Sequence, residues 1–92
     1  MIQSFASAET RVLFETGDSR RFRAIATVAT RKLTMLHAAN TLEFLKSPPG
    51  NRLEPLKGDR RGQHSIRIND QWRICFRWTA SGPAEVEIVD YH

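Results

Sequence analysis

SIRINDQWRICFRW, residues 65–78, reads as two alternating strands around a short polar turn. Two registers are open to it. A two-residue turn at Asn69-Asp70 sets Arg67 against Trp72 and Ile66 against Arg73, which mixes charge into both faces of the hairpin. A three-residue loop, Asn69-Asp70-Gln71, opposes Ile68 to Trp72, Arg67 to Arg73, Ile66 to Ile74 and Ser65 to Cys75. In that register Ile66, Ile68, Trp72, Ile74, Phe76 and Trp78 share one face, and Arg67, Arg73 and Arg77 share the other. A slip of one residue inverts a strand's faces, so buried apolar area selects the second register by several kcal/mol. It leaves Arg67 directly across from Arg73, and like charges so placed repel by roughly 0.2–1 kcal/mol. Two readings of that pair stay open. The long side chains splay into solvent, or two strands present guanidinium forks to a shared anion such as a phosphate.

Upstream of the hairpin the pattern is helical. SAETRVLFETG (7–17) predicts a short helix, with Ser7 as N-cap and Gly17 just past its end. DSRRFRAIATVATRKLTMLHAAN (18–40) predicts the longest one, capped by Asp18 or Ser19. Phe22, Ile25, Ala29, Leu33 and Leu36 form its apolar stripe. TLEFLKSPPGN predicts one further helical turn, broken at Pro48, Pro49 and Gly50. IQSF near the start reads as a short edge strand. RLEPL, interrupted by Pro55, reads as a strand at an edge or bulge, KGDRRG as a turn, and AEVEIVDY as the last strand. Two helices followed by hairpin-linked strands predict an α+β domain: two N-terminal helices packed on one face of a mostly antiparallel β-sheet. Residues 1–92 are expected to form that single domain, since 92 residues are too few for two.

Composition narrows the function. Fourteen lysines and arginines against 10 acids give a net charge of +4. Residues 52–78 hold seven of the cations (Arg52, Lys57, Arg60, Arg61, Arg67, Arg73 and Arg77) and three acids (Glu54, Asp59 and Asp70). A basic patch of this kind suits nucleic acid, an acidic protein or an anionic surface. No apolar run approaches the roughly 18 residues of a membrane span, and MIQSFASAET lacks the pattern of a secretory signal. With one cysteine, Cys75, an internal disulfide is excluded. The expectation is a cytoplasmic protein with no membrane partner. His37, His64 and His92 have no metal-ligand spacing, and KGDRRG lacks the spacing of a phosphate-binding glycine loop, so neither a metal nor a cofactor is expected.

The ordered set MIQSF, LFETG, LKGDRRG, SIRINDQWRICF and a terminal DYH resembles the HigB toxins of type II toxin–antitoxin systems, within the RelE-like ribonuclease superfamily. The resemblance implies a RelE-like fold and ribosome-dependent cleavage of messenger RNA in the ribosomal A site, with contacts to ribosomal RNA. It also implies a HigA-type helix-turn-helix antitoxin as partner, with operator DNA bound only through that antitoxin. Carried over residue by residue, it gives Lys57 from the PLKG motif, Arg73 after the tryptophan, and Asp90, Tyr91 and His92 from the terminal set. The family motif commonly has histidine before the proline, where this chain has Glu54. Other superfamily members use a glutamate as the base.

Cleavage by 2′-OH attack needs a base, a cationic clamp on the phosphorane and an acid for the leaving 5′-oxygen. On this reading Glu54 is the base and His92, a residue type that titrates near neutral pH, the acid. Arg73 and Lys57 hold the phosphate. Tyr91 stacks on a base or hydrogen-bonds the nucleophile, and Asp90 orients His92 or a clamp cation. Arg67, Arg77, Arg60, Arg61 and His64 are expected to bind RNA or its phosphates. Two other functions use the same basic face: a non-catalytic ribosome- or RNA-binding module, and a degenerate toxin that acts only within an antitoxin repressor complex.

Overall fold

In a computed structural model, described here for residues 1–90, the two predicted helices are α1 (Ala8–Thr16) and α2 (Ala26–Ala38). The strands are β1 (Glu54–Pro55), β2 (His64–Arg67), β3 (Trp72–Thr79) and β4 (Gly82–Asp90), in that order across one antiparallel sheet. Short 3₁₀ turns occupy Arg23–Ile25, Glu43–Lys46, Pro49–Asn51 and Gly58–Arg60.

α1 starts and stops where its caps dictate. The Ser7 side chain accepts the Thr10 N–H, and Gly17, at φ 78°, returns its own N–H to the Leu13 carbonyl. α2 starts later than its apolar stripe suggests. Residues 18–25 form an irregular turn in which the Phe22 N–H is donated to Ser19 Oγ at 3.4 Å, then a 3₁₀ turn over Arg23–Ile25. Arg20, Arg21 and Arg23 would otherwise stand in the first turns of the helix, where the positive end of the macrodipole opposes cations. Arg21 is engaged elsewhere: it pairs with Glu9 at 2.9 Å and lies over the rings of Phe22 and Trp72.

The central hairpin has the three-residue loop. Arg67 pairs with Arg73, Ile66 with Ile74 and Ser65 with Cys75, while the Ile68 N–H is donated to the Trp72 carbonyl. Asn69 Oδ1 accepts the N–H groups of Gln71 and Trp72 and so closes the loop. Ile66, Ile74, Phe76, Val86 and Ile88 on one face of the sheet join Leu13, Phe22, Ala29, Leu33 and Leu36 in a single core. Phe22 meets Trp72 edge-on at 5.5 Å.

β4 carries an irregularity with no forewarning in the sequence pattern. Its pairing with β3 shifts by one residue between Cys75 and Arg77, and Glu85 takes a positive φ of 53° at the extra position. Ser4 Oγ accepts the Glu85 N–H at 2.9 Å and holds the bulge. The predicted N-terminal edge strand is reduced to a single parallel bridge, Phe5 to Val86. Hydrogen bonds from Gln3 to Pro83 and from Ala6 to Val86 extend it. Gly82, at φ 128°, is required there, because a β-carbon would collide with the Met1 carbonyl oxygen. The buried Thr10 hydroxyl accepts the Ile88 N–H at 3.0 Å and ties α1 to the same strand.

Candidate active site

Several of the candidate residues lie on the face of the sheet turned away from the helices. Period-two alternation puts Ser65 and Arg67 of β2, Arg73, Cys75 and Arg77 of β3, and Glu87 of β4 on it. Pairing of Glu54 with Ser65 adds the Glu54 carboxylate from β1.

Arg73 is the fixed point. Only 8% of it is exposed, and a charge so covered needs its donors satisfied. Nε donates to Ser65 Oγ at 2.7 Å, and one terminal nitrogen donates to the Arg52 carbonyl at 2.7 Å. The same nitrogen lies 3.6 Å from Glu54 Oε1. Glu54 is half-exposed and reachable from solvent. The Glu54 carboxylate and the Arg73 guanidinium thus stand side by side.

The other predicted cations are distributed differently. Arg67 and Arg77 share the Arg73 face, yet each is held by its own carboxylate. Arg67 pairs with Asp70, whose carboxyl is pulled below its usual range by the hydrogen bond and charge of Arg67. Arg77 pairs with Glu85 at 2.8 Å, across the bulge. Arg60, from the turn after β1, reaches the face and pairs with Glu87 at 2.9 Å. Lys57 and Arg61 are exposed at the two ends of that turn. His64 departs from the expected RNA-contacting set: it pairs with Phe76 on the helix-facing side and stacks on that ring at 6.3 Å. Asp90, opposite Trp72, is exposed and accepts from Gln71 Nε2 at 3.1 Å. Tyr91 and His92, the predicted stacking residue and acid, lie outside the described residues.

Cys75 lies on this face but is fully buried, and burial pushes its thiol up from the ordinary value even with Arg60 and Arg73 nearby. It is a filler between strands and not an activated nucleophile. The described residues enclose no pocket, so the site is an open sheet face. Among them no group of three metal-ligating side chains occurs, and no helix is long and apolar enough to cross a membrane.

Three residues of the site escaped the sequence pattern. Arg52 contributes a backbone carbonyl, which no side-chain motif announces. Ser65 was placed by register but not singled out. Glu87 was visible only as an acid on the last strand, and its partner Arg60 comes from a loop.

A family model described as RelE-like toxin of the type II toxin–antitoxin system HigB matches residues 3–92. The chain belongs to the HigB-like family. Among curated relatives, this HigB-like chain is 43% identical over 79 residues to Toxin HigB-1 of Vibrio cholerae, covering 82% of each protein. It is 42% identical over 41 residues, 45% of each chain, to Endoribonuclease HigB of Proteus vulgaris. Its fold matches a chain of the YoeB-YefM complex from Staphylococcus aureus with a TM-score of 0.63 at 16% identity, over 100% of this chain and 98% of that one. The α+β, RelE-like architecture read from the sequence is the one observed.

Proposed function

We propose that this HigB-like chain is a ribosome-dependent messenger-RNA endoribonuclease that inhibits translation, acting as one domain in the cytoplasm and neutralised by a HigA-type antitoxin. The observation that carries the reading is the Glu54–Arg73 pair: a solvent-reachable carboxylate beside a guanidinium locked in place on an open, cationic sheet face. In this reading Glu54 takes the 2′-OH proton. The freed oxygen attacks the adjacent phosphorus, and Arg73 with Lys57 stabilises the charge that develops on the phosphorane. In the same reading His92 gives a proton to the departing 5′-oxygen, Asp90 orients His92 or a clamp cation, and Tyr91 stacks on a base or hydrogen-bonds the nucleophile. The products are a 2′,3′-cyclic phosphate and a 5′-hydroxyl. The chain's own side chains suffice for each step, and no metal or cofactor is invoked. An open face also suits a substrate presented by a larger partner, because messenger RNA in a ribosomal A site arrives already held in place. Asp70, Glu85 and Glu87 would then yield Arg67, Arg77 and Arg60 to RNA phosphates, an exchange of one anionic partner for another. Arg61 would join them from its exposed turn. An antitoxin partner fits the family's description as the toxin of a toxin–antitoxin system, and the structural neighbour is itself part of a two-protein complex; operator DNA would be bound only through that antitoxin.

The test is cleavage of a programmed ribosomal complex by purified chain in the presence of EDTA, with end-group analysis of the fragments. Cleavage leaving a 2′,3′-cyclic phosphate, abolished in Arg73→Ala, supports the reading. Tight ribosome binding with intact message would replace it with a non-catalytic binding module.

A further inference from the structure

The loop before β1 holds a built device that no motif marks. Asn51 is fully buried. Its Nδ2 donates to the carbonyls of Leu45 and Ser47 at 3.1 and 3.3 Å, and its Oδ1 accepts from Lys32 of α2. The backbone N–H groups of Asn51 and Arg52 return to the carbonyls of Pro48 and Pro49. On the other side, Leu53 packs against the core and Glu54 enters the sheet. Between these two fixed points Arg52 is forced into a left-handed conformation, φ 46° and ψ 52°, which a residue with a β-carbon seldom adopts. Its side chain is exposed, so its packing does not require that geometry. What the conformation delivers is the Arg52 carbonyl, 2.7 Å from the Arg73 guanidinium.

We propose that Arg52 is a positioning residue that works through its backbone: the left-handed turn, anchored by Asn51, aims a carbonyl that together with Ser65 sets the plane of the Arg73 guanidinium. This deepens the proposed ribonuclease reading and rests on it for the role of Arg73, but the positioning itself is measurable without activity. Glycine favours the left-handed region, asparagine tolerates it, alanine resists it and valine resists it most.

The experiment is an Arg52 series, Gly, Asn, Ala and Val, read in two ways. The first is the Nε–H resonance of Arg73 in a nitrogen-15 spectrum and its exchange with solvent. The second is kcat and KM for cleavage of programmed ribosomes. Arg52→Gly should keep the Arg73 signal in place with parental exchange and lose far less kcat than the valine variant. Arg52→Ala and then Arg52→Val should shift the resonance and speed its exchange. They should lower kcat roughly 10- and 100-fold with KM changed far less, because an oriented charge is used mainly in the transition state. The alanine variant serves even if the valine variant folds poorly. If glycine costs as much kcat as valine, or if Arg73 exchange is the same across the series, the proposal is wrong. If the resonance follows the predicted order while Arg73→Ala remains fully active, the positioning stands and the ribonuclease role of Arg73 falls.

Discussion

Arg67 and Arg73 stand directly opposite each other on neighbouring strands, yet their guanidinium groups have different anchors. Arg67 is paired with the fully exposed Asp70. Arg73 is folded back onto Ser65 and the Arg52 carbonyl. The repulsion expected of the pair is relieved by turning one head outward and covering the other. In the proposed reaction that asymmetry would give them different tasks: one arginine fixed before substrate arrives, the other held by a partner it can exchange.

The fixed arginine should matter most to turnover. Arg73→Ala should lower ribosome-dependent cleavage by about 10²–10³, the cost of losing one preorganised donor set at a developing charge. Arg73→Lys should recover little of it, because an ammonium cannot reproduce the bonds to Ser65 and Arg52. Single-turnover cleavage of a programmed ribosome measures both.

Glu54→Gln keeps the side chain's size and removes its basicity, so cleavage should fall by about 10²–10⁴. Glu54→His restores a base and matches the form the family motif commonly takes. Its activity should return, with the acidic limb of the pH–rate profile moved toward neutrality, since imidazole titrates there. An unchanged profile would place the base elsewhere.

Burial raises the folded-state pKa of Cys75, and the sign of its effect on stability follows. The contribution is fully present below the ordinary thiol value of 9.0 and is lost as pH rises past it, when the unfolded chain releases a proton that the folded one retains. Denaturant melts should therefore show stability declining above that pH, and less so in Cys75→Ala. At neutral pH a thiol reagent should label native protein only as fast as the sheet opens.

Leu33 lies on the middle of α2 with no exposed surface and belongs to the same core as Ile66 and Ile74. Leu33→Ala should cost about 2–5 kcal/mol by lost burial plus the cavity left behind. In a domain of this size that is a large share of the total stability. Urea melts of the two proteins give the difference.

Much of the scaffold was legible because its signals are local. The hairpin register follows from two faces of opposite character, and α1 from Ser7 and Gly17 at its ends. The start of α2 was less so: an apolar stripe beginning at Phe22 suited a helix, while the cations at 20, 21 and 23 opposed one, and the turn that buries Phe22 against Trp72 resolves the conflict. The Glu85 bulge has no glycine or asparagine to mark it; its cause is Ser4, some eighty residues away. For the site, period two placed Ser65 and Arg73 on one face, while Glu54 joins them through a β1–β2 pairing that no sequence pattern announced. The alternation was silent on which carboxylate each arginine chooses, because Arg60–Glu87 and Arg77–Glu85 depend on where a loop and a bulge bring the heads. The stacking of His64 on Phe76 was likewise not singled out, although register puts both on the helix-facing side.

The backbone of residues 3–6 is hydrogen-bonded to residues 83–86, some eighty positions further along the sequence. Contacts this distant in sequence close slowly, so this edge of the sheet is expected to form late in folding.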